Sequence, residues 1–165
     1  MGLFSFVKGI GEKITGKSDT PVVAAPAAPA PHAPAAEPTA QQIANLLLNR
    51  VQSLGLGVTG LSISYNSATD TATIRGEAKS QADREKIVLA VGNVNHVAAV
   101  QDDMTVTTPA PESKFYTVKS GDTLSKVAKE VYGNANLYNK IFEANQPMLS
   151  HPDKIYVGQV LRIPA

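Results

Sequence analysis

The chain has 165 residues, 18% of them charged and 5% aromatic, with no tryptophan. Its core must therefore be mainly aliphatic, and the length allows one domain or two small ones. Fifteen basic against fourteen acidic side chains leave a net charge of +1, which argues against nucleic acid as a partner, because phosphate binding needs a concentrated basic face.

Cysteine is absent, which excludes disulfides, thiolate metal sites and cysteine nucleophiles and fits a reducing compartment. No stretch reaches the roughly 18 apolar residues of a transmembrane helix. The opening MGLFSFVKGIGEK lacks the leading basic residues and small-residue cleavage site of a secretory signal. Phe6 also stands where a myristoylation motif needs Ser or Thr. A cytoplasmic protein is expected.

Within residues 1–19, Leu3, Phe6, Val7, Ile10 and Ile14 fall at spacings i, i+3, i+4, i+7 and i+11. This predicts an amphipathic helix, weakened by Gly9, Gly11 and Gly16, that needs a surface to dock on. Residues 20–38 are nearly all alanine and proline and predict a semi-extended linker, with His32 solvated inside it. At its full reach, on the order of 50 Å, such a linker lets the N-terminal segment fold back on either domain.

Residues 39–107 read as helix, strand, strand, helix, strand. Ile43, Leu47, Val51 and Leu54 mark the first helix, which Gly55 and Gly57 end. Leu61, Ile63 and Tyr65 alternate with Ser62 and Ser64, and after a turn Ala72, Ile74 and Gly76 alternate with Thr71, Thr73 and Arg75. Ser80 and Asp83 form a capping signal ahead of Ile87, Ala90, Val91 and Val94 on one helical face. A last strand runs from Val97 to Val106. This order, with Gly76 closing a strand and the turn VGNVNHV after the second helix, resembles the BON domain, a resemblance that implies binding or contact.

A break at 108–114 contains Pro109 and Pro111. Beyond it Tyr116 and Val118 open a strand. Asp122 is expected to cap a helix bearing Leu124, Val127, Ala128 and Val131, which Gly133 ends. A second helix carries Leu137, Ile141 and Ala144 and stops at Asn145, and Leu161 and Ile163 belong to a closing strand. Strand, helix, helix and strand, with YTVKSGDTLSKVAKEVYGN in front and IYVGQVLRIP behind, resemble the LysM domain. The expected fold is α+β: an N-terminal helix, a BON-like αββαβ unit at 39–107 and a LysM βααβ unit at 115–165, acting as a monomer.

No catalytic constellation emerges, neither a nucleophile elbow, an HExxH, a P-loop nor a dinucleotide fingerprint, so an enzyme is not expected. His32, His96 and His151 are scattered over zones of different structure. Asp102 and Asp103 are adjacent on a strand, point to opposite faces and are expected on an exposed strand.

The LysM resemblance implies binding of N-acetylglucosamine-containing glycan in a groove between two loops. The matching positions are Gly121, Asp122 and Thr123, then Asn145, Gln146, Pro147, Met148 and Ile155. A protein-docking role for the module is the other alternative.

The start MGLFSFVK, the BON-like zone and the LysM zone with YGNANLYNKIFEANQPML together resemble a family of bacterial potassium-binding proteins. That resemblance implies a cytoplasmic potassium sensor or buffer in which one ion, with rubidium or caesium able to replace it, stabilises a compact form. It implies ligation by backbone carbonyls of Val7, Ile10, Gly92, Val94 and Val97. The long Ala/Pro linker, Ile10, Asn95 and His96 depart from the family pattern, but carbonyl ligation tolerates side-chain changes where the backbone path is kept. Neutral oxygens suit a hard, singly charged ion, and a helix end offers unpaired carbonyls. Gly92 is expected in a left-handed conformation that turns the chain so that carbonyls converge.

Overall fold

A computed structural model of the protein describes residues 2–7 and 37–165. Ile10, His32 and the remainder of the expected N-terminal helix and linker lie outside the described residues.

The N-terminus departs from the expected helix. Gly2–Ser5 form strand β1, not a first helical turn, and lie antiparallel to β4 (Ala99–Asp102), with Phe4 opposite Val100. The residues obey a period of two. Phe4 and Phe6 pack against the core, whereas Leu3 and Val7 are 70% and 42% exposed. Helical spacing would place Leu3, Phe6 and Val7 on one face, whereas here Phe6 faces inward and Leu3 and Val7 outward, and the edge of β4 selects the strand.

Helix α1 (Ala40–Ser53) begins at Thr39, whose hydroxyl accepts from Gln42 N–H while the Gln42 side chain accepts from Thr39 N–H. Strands β2 (Val58–Asn66) and β3 (Thr71–Ser80) form a hairpin, and α2 (Gln81–Gly92) carries the chain over to β4, which is parallel to β3. The sheet order is β1-β4-β3-β2. Its inner face joins Ala72, Ile74 and Val100 to Ile43, Leu47 and Val51 of α1 and Ile87, Val88 and Val91 of α2.

The expected last strand is two strands, β4 and β5 (Thr105–Thr108), both paired with β3 in one register. The interruption falls opposite Gly76, which has φ +145°, beside an irregularity between Thr59 and Ser62 on β2. A Cβ at Gly76 would press on the Thr59 carbonyl at 3.0 Å, so a glycine is required where these strands crowd. Asp102 is not on an exposed strand: it is 1% exposed, its carboxylate lies 2.7 Å from Arg84 Nε and it accepts from Met104 N–H at 3.0 Å.

The C-terminal unit pairs β6 (Lys114–Thr117) with β7 (Val160–Ile163) and packs α3 (Leu124–Tyr132) and α4 (Tyr138–Ala144) on them around Val127, Ala128, Ile141, Leu149 and Leu161. Gly133, at φ 73°, ends α3 as expected. Thr123, not Asp122, caps that helix, accepting from Lys126 N–H. Asp122 instead accepts from Lys119 N–H and the Tyr116 hydroxyl, both at 2.9 Å, and so ties down the preceding turn. The Lys119 bond outweighs desolvation and holds its carboxyl below the usual range.

The two units dock through α2. Val88 and Leu89 are as buried as Ile87 and Val91, because the helix is covered by the sheet on one side and β7 on the other. Arg162 of β7 donates to the Glu85 carboxylate, which also accepts from Ser113 N–H at 2.8 Å. Burial pushes the Glu85 carboxyl up, but the bonds from Ser113, Arg162 and Gln81 prevail and its pKa is lowered.

Candidate functional site

Gly92 ends α2, Val94 and Val97 lie on the turn that leads from it to β4, and all three are buried. The turn is braced from several sides. Asn93 N–H closes the helix on the Leu89 carbonyl at 2.9 Å, and Val97 N–H returns to the Val94 carbonyl at 3.0 Å. The Tyr65 hydroxyl of β2 lies 2.6 Å from the His96 carbonyl and 2.8 Å from Asp70 Oδ1. Burial, then Asp70, pushes that hydroxyl's pKa well up, so it remains a donor. Ala98 N–H donates to the Asp70 carbonyl at 2.8 Å.

The N-terminal strand reaches this turn. Phe6 N–H donates to the Ala98 carbonyl at 2.8 Å, and the Phe6 ring lies on Gly92, where an added Cβ would stand 2.0 Å from Phe6 Cζ. Val7 follows Phe6 in the chain and is 42% exposed. Gly92 is not left-handed as expected. It is the last residue of α2, and its missing side chain makes room for Phe6.

The carbonyls implied by the resemblance are neutral oxygens, the kind of donor a monovalent cation takes. The carbonyls follow a helix C-terminus, the negative end of its dipole. The Val94 oxygen has a second lone pair beyond the one given to Val97. Among the described residues no group of three or more His, Asp or Glu side chains is placed to hold a metal ion. Phe6, Tyr65 and Asn93 organise the turn and were not singled out by sequence. The alternation of Phe4 and Phe6 is the signal that could have found the first, whereas nothing local marks the other two.

A second concavity lies on the C-terminal unit, lined by Thr123, Ser125, Tyr138, His151, Pro152 and Asp153. Of the positions implied by resemblance, Thr123 lines it. Asn145 does not: it is 2% exposed, and its side chain is spent on the Ile141 and Arg162 carbonyls and Arg162 N–H. Pro147 and Met148 face the other unit, lining a cavity of about 520 Å³ with Arg50, Leu89 and Asn93. Gln146 is exposed outside the groove, Ile155 packs on the core, and the space beside Gly121 is open.

These two units define a BON-plus-LysM protein: the BON domain family model matches residues 37–108 and the LysM domain model residues 116–164. Over 99% of both chains the sequence is 47% identical to "Potassium binding protein Kbp" of Escherichia coli O6:H1, and the chain belongs to the Kbp family. A Deinococcus radiodurans protein called uncharacterized is 53% identical over 49 residues, 30% of this chain and 19% of that one.

Proposed function

We propose that this chain binds one potassium ion through backbone carbonyls of Gly92, Val94 and Val97 together with the N-terminal segment, Val7 and Ile10 included. Its role is binding rather than catalysis, as a cytoplasmic sensor or buffer in which the ion stabilises the compact two-domain form. Rubidium and caesium, also large monovalent ions, would enter the same shell. The observation that carries this reading is the seating of Phe6, the residue before Val7, on Gly92. The name of the Escherichia coli relative supports the choice of ion. The test is thermal unfolding of the full chain at equal ionic strength in potassium or sodium chloride, with the higher midpoint expected in potassium.

A second, compatible reading rests on the groove at Thr123, Tyr138 and His151: N-acetylglucosamine glycan lies there, with the Tyr138 ring offering an apolar surface beside polar groups. Titration with chitin oligomers should shift the amide signals of Thr123, Ser125 and His151 selectively. Unchanged spectra at millimolar oligomer would count against it.

A further inference from the structure

The cavity between the two units is lined by none of the proposed ion ligands and by none of the residues of the Thr123 groove. It measures about 520 Å³, within the range of pockets that hold small organic ligands. Arg50, Leu54 and Leu89 line it from the BON side, and Met148, Ser150 and Lys154 from the LysM side. Its walls are tied in place. Arg50 Nε donates to the Ala90 carbonyl, the Tyr156 hydroxyl to the Asn93 carbonyl, and Tyr156 N–H to Gln159 Oε1, each at 3.2 Å. A ligand would enter a formed pocket and would not have to order one around itself.

The lining is one-sided in charge. Arg50 and Lys154 are cationic, and no carboxylate is among the described residues around the cavity. Two like charges in one concavity with apolar walls focus a positive potential there. A guanidinium meets a planar carboxylate or a phosphate with parallel N–H bonds, and a lysine adds a mobile point charge. Leu54, Leu89 and Met148 supply the apolar wall, and a methionine sulfur packs favourably on aromatic rings.

The geometry points to a binding site in this cavity for a small organic anion, a carboxylate or phosphate monoester on an aromatic body. The head group meets Arg50 and Lys154, and the ring lies on Leu54, Leu89 and Met148. An inorganic anion leaves the apolar wall unused, and a cationic ligand of the same shape meets two like charges. The site stands on its own lining and does not depend on the potassium reading of the turn.

Amide spectra of the full chain, titrated with benzoate, phenyl phosphate or benzylammonium at constant potassium chloride, test this. Benzoate or phenyl phosphate should shift Leu89, Ala90, Met148 and Lys154 and leave Thr123 and Ser125 unmoved, and the tighter of the two identifies the head group. Benzylammonium carries the same ring with the opposite charge and should shift none of them. Lys154 is exposed, so Lys154→Gln leaves both cores intact. It is expected to raise the Kd about threefold, the scale of an exposed ion pair. Arg50→Gln should raise it about tenfold or more, as loss of a charge-assisted bond does. Where Arg50→Gln fails to fold, Lys154→Gln carries the test. Unchanged spectra at millimolar benzoate and phenyl phosphate overturn the site, and so do equal shifts with benzylammonium. An unchanged Kd in Lys154→Gln overturns the placing of the head group between the two cations.

Discussion

Gly92→Ala is expected to abolish the potassium-specific stabilisation while leaving both domains folded. Residue 92 ends α2 in helical conformation, where alanine is favoured over glycine by about 1 kcal/mol in a helix interior. The helix itself therefore does not suffer. The added methyl would stand 2.0 Å from Phe6 Cζ, so the ring must shift off Gly92, and the N-terminal strand is expected to leave the turn with it. The Val7 carbonyl goes with it. At an ion concentration a hundred times Kd the stabilisation forfeited is about 2.7 kcal/mol, read as the difference between melting in potassium and in sodium. If the variant kept the full difference, the N-terminal segment would not belong to the ion shell.

Arg84→Met should cause the larger loss of overall stability, about 3–5 kcal/mol, because it strands a buried carboxylate. The Asp102 side chain is 2% exposed and the Arg84 side chain 18%. With the guanidinium gone, the Met104 N–H is the bond that remains to Asp102 in this arrangement. Asp102→Asn keeps an oxygen for Met104 and removes the charge, so adding it to Arg84→Met should restore much of the loss. Urea denaturation of the two variants decides the matter. A cost under about 1 kcal/mol for Arg84→Met would place the pair among weakly contributing surface bridges.

These two sites show where residue patterns are informative and where they are silent. Gly133, the alternation of Leu61, Ile63 and Tyr65, and the stripe Ile43, Leu47, Val51 each report a local requirement, and the structure meets them. Ser80 likewise caps α2 by accepting from Asp83 N–H. Burial by a second domain leaves a fainter mark. Leu89 falls outside the stripe of α2, yet it is 1% exposed and lines the cavity between the two units with Met148 and Tyr156.

Asp102 shows the same limit for charge. Adjacent acids on a strand read as a solvated edge, and only the position of Arg84, eighteen residues earlier and on another element, buries one of them. The N-terminus misleads for a different reason. Leu3, Phe6 and Val7 satisfy helical spacing, while Phe4 and Phe6 satisfy strand spacing, and the β4 edge selects the strand. The candidate ion site is the least legible of all. Every residue has a carbonyl, so its position was implied by the family resemblance, and Gly92 is significant for a reason of packing rather than of backbone conformation.

The folded chain is expected to hold potassium in preference to sodium at the turn after α2. The most direct measurement is the unfolding midpoint of the full chain in the two chlorides at one ionic strength, over a series of concentrations. Screening acts alike on both salts, whereas a bound ion adds RT ln(1 + [L]/Kd). A gap should open in favour of potassium and grow logarithmically once the concentration passes Kd. Superimposed midpoints at every concentration would contradict potassium binding at this turn.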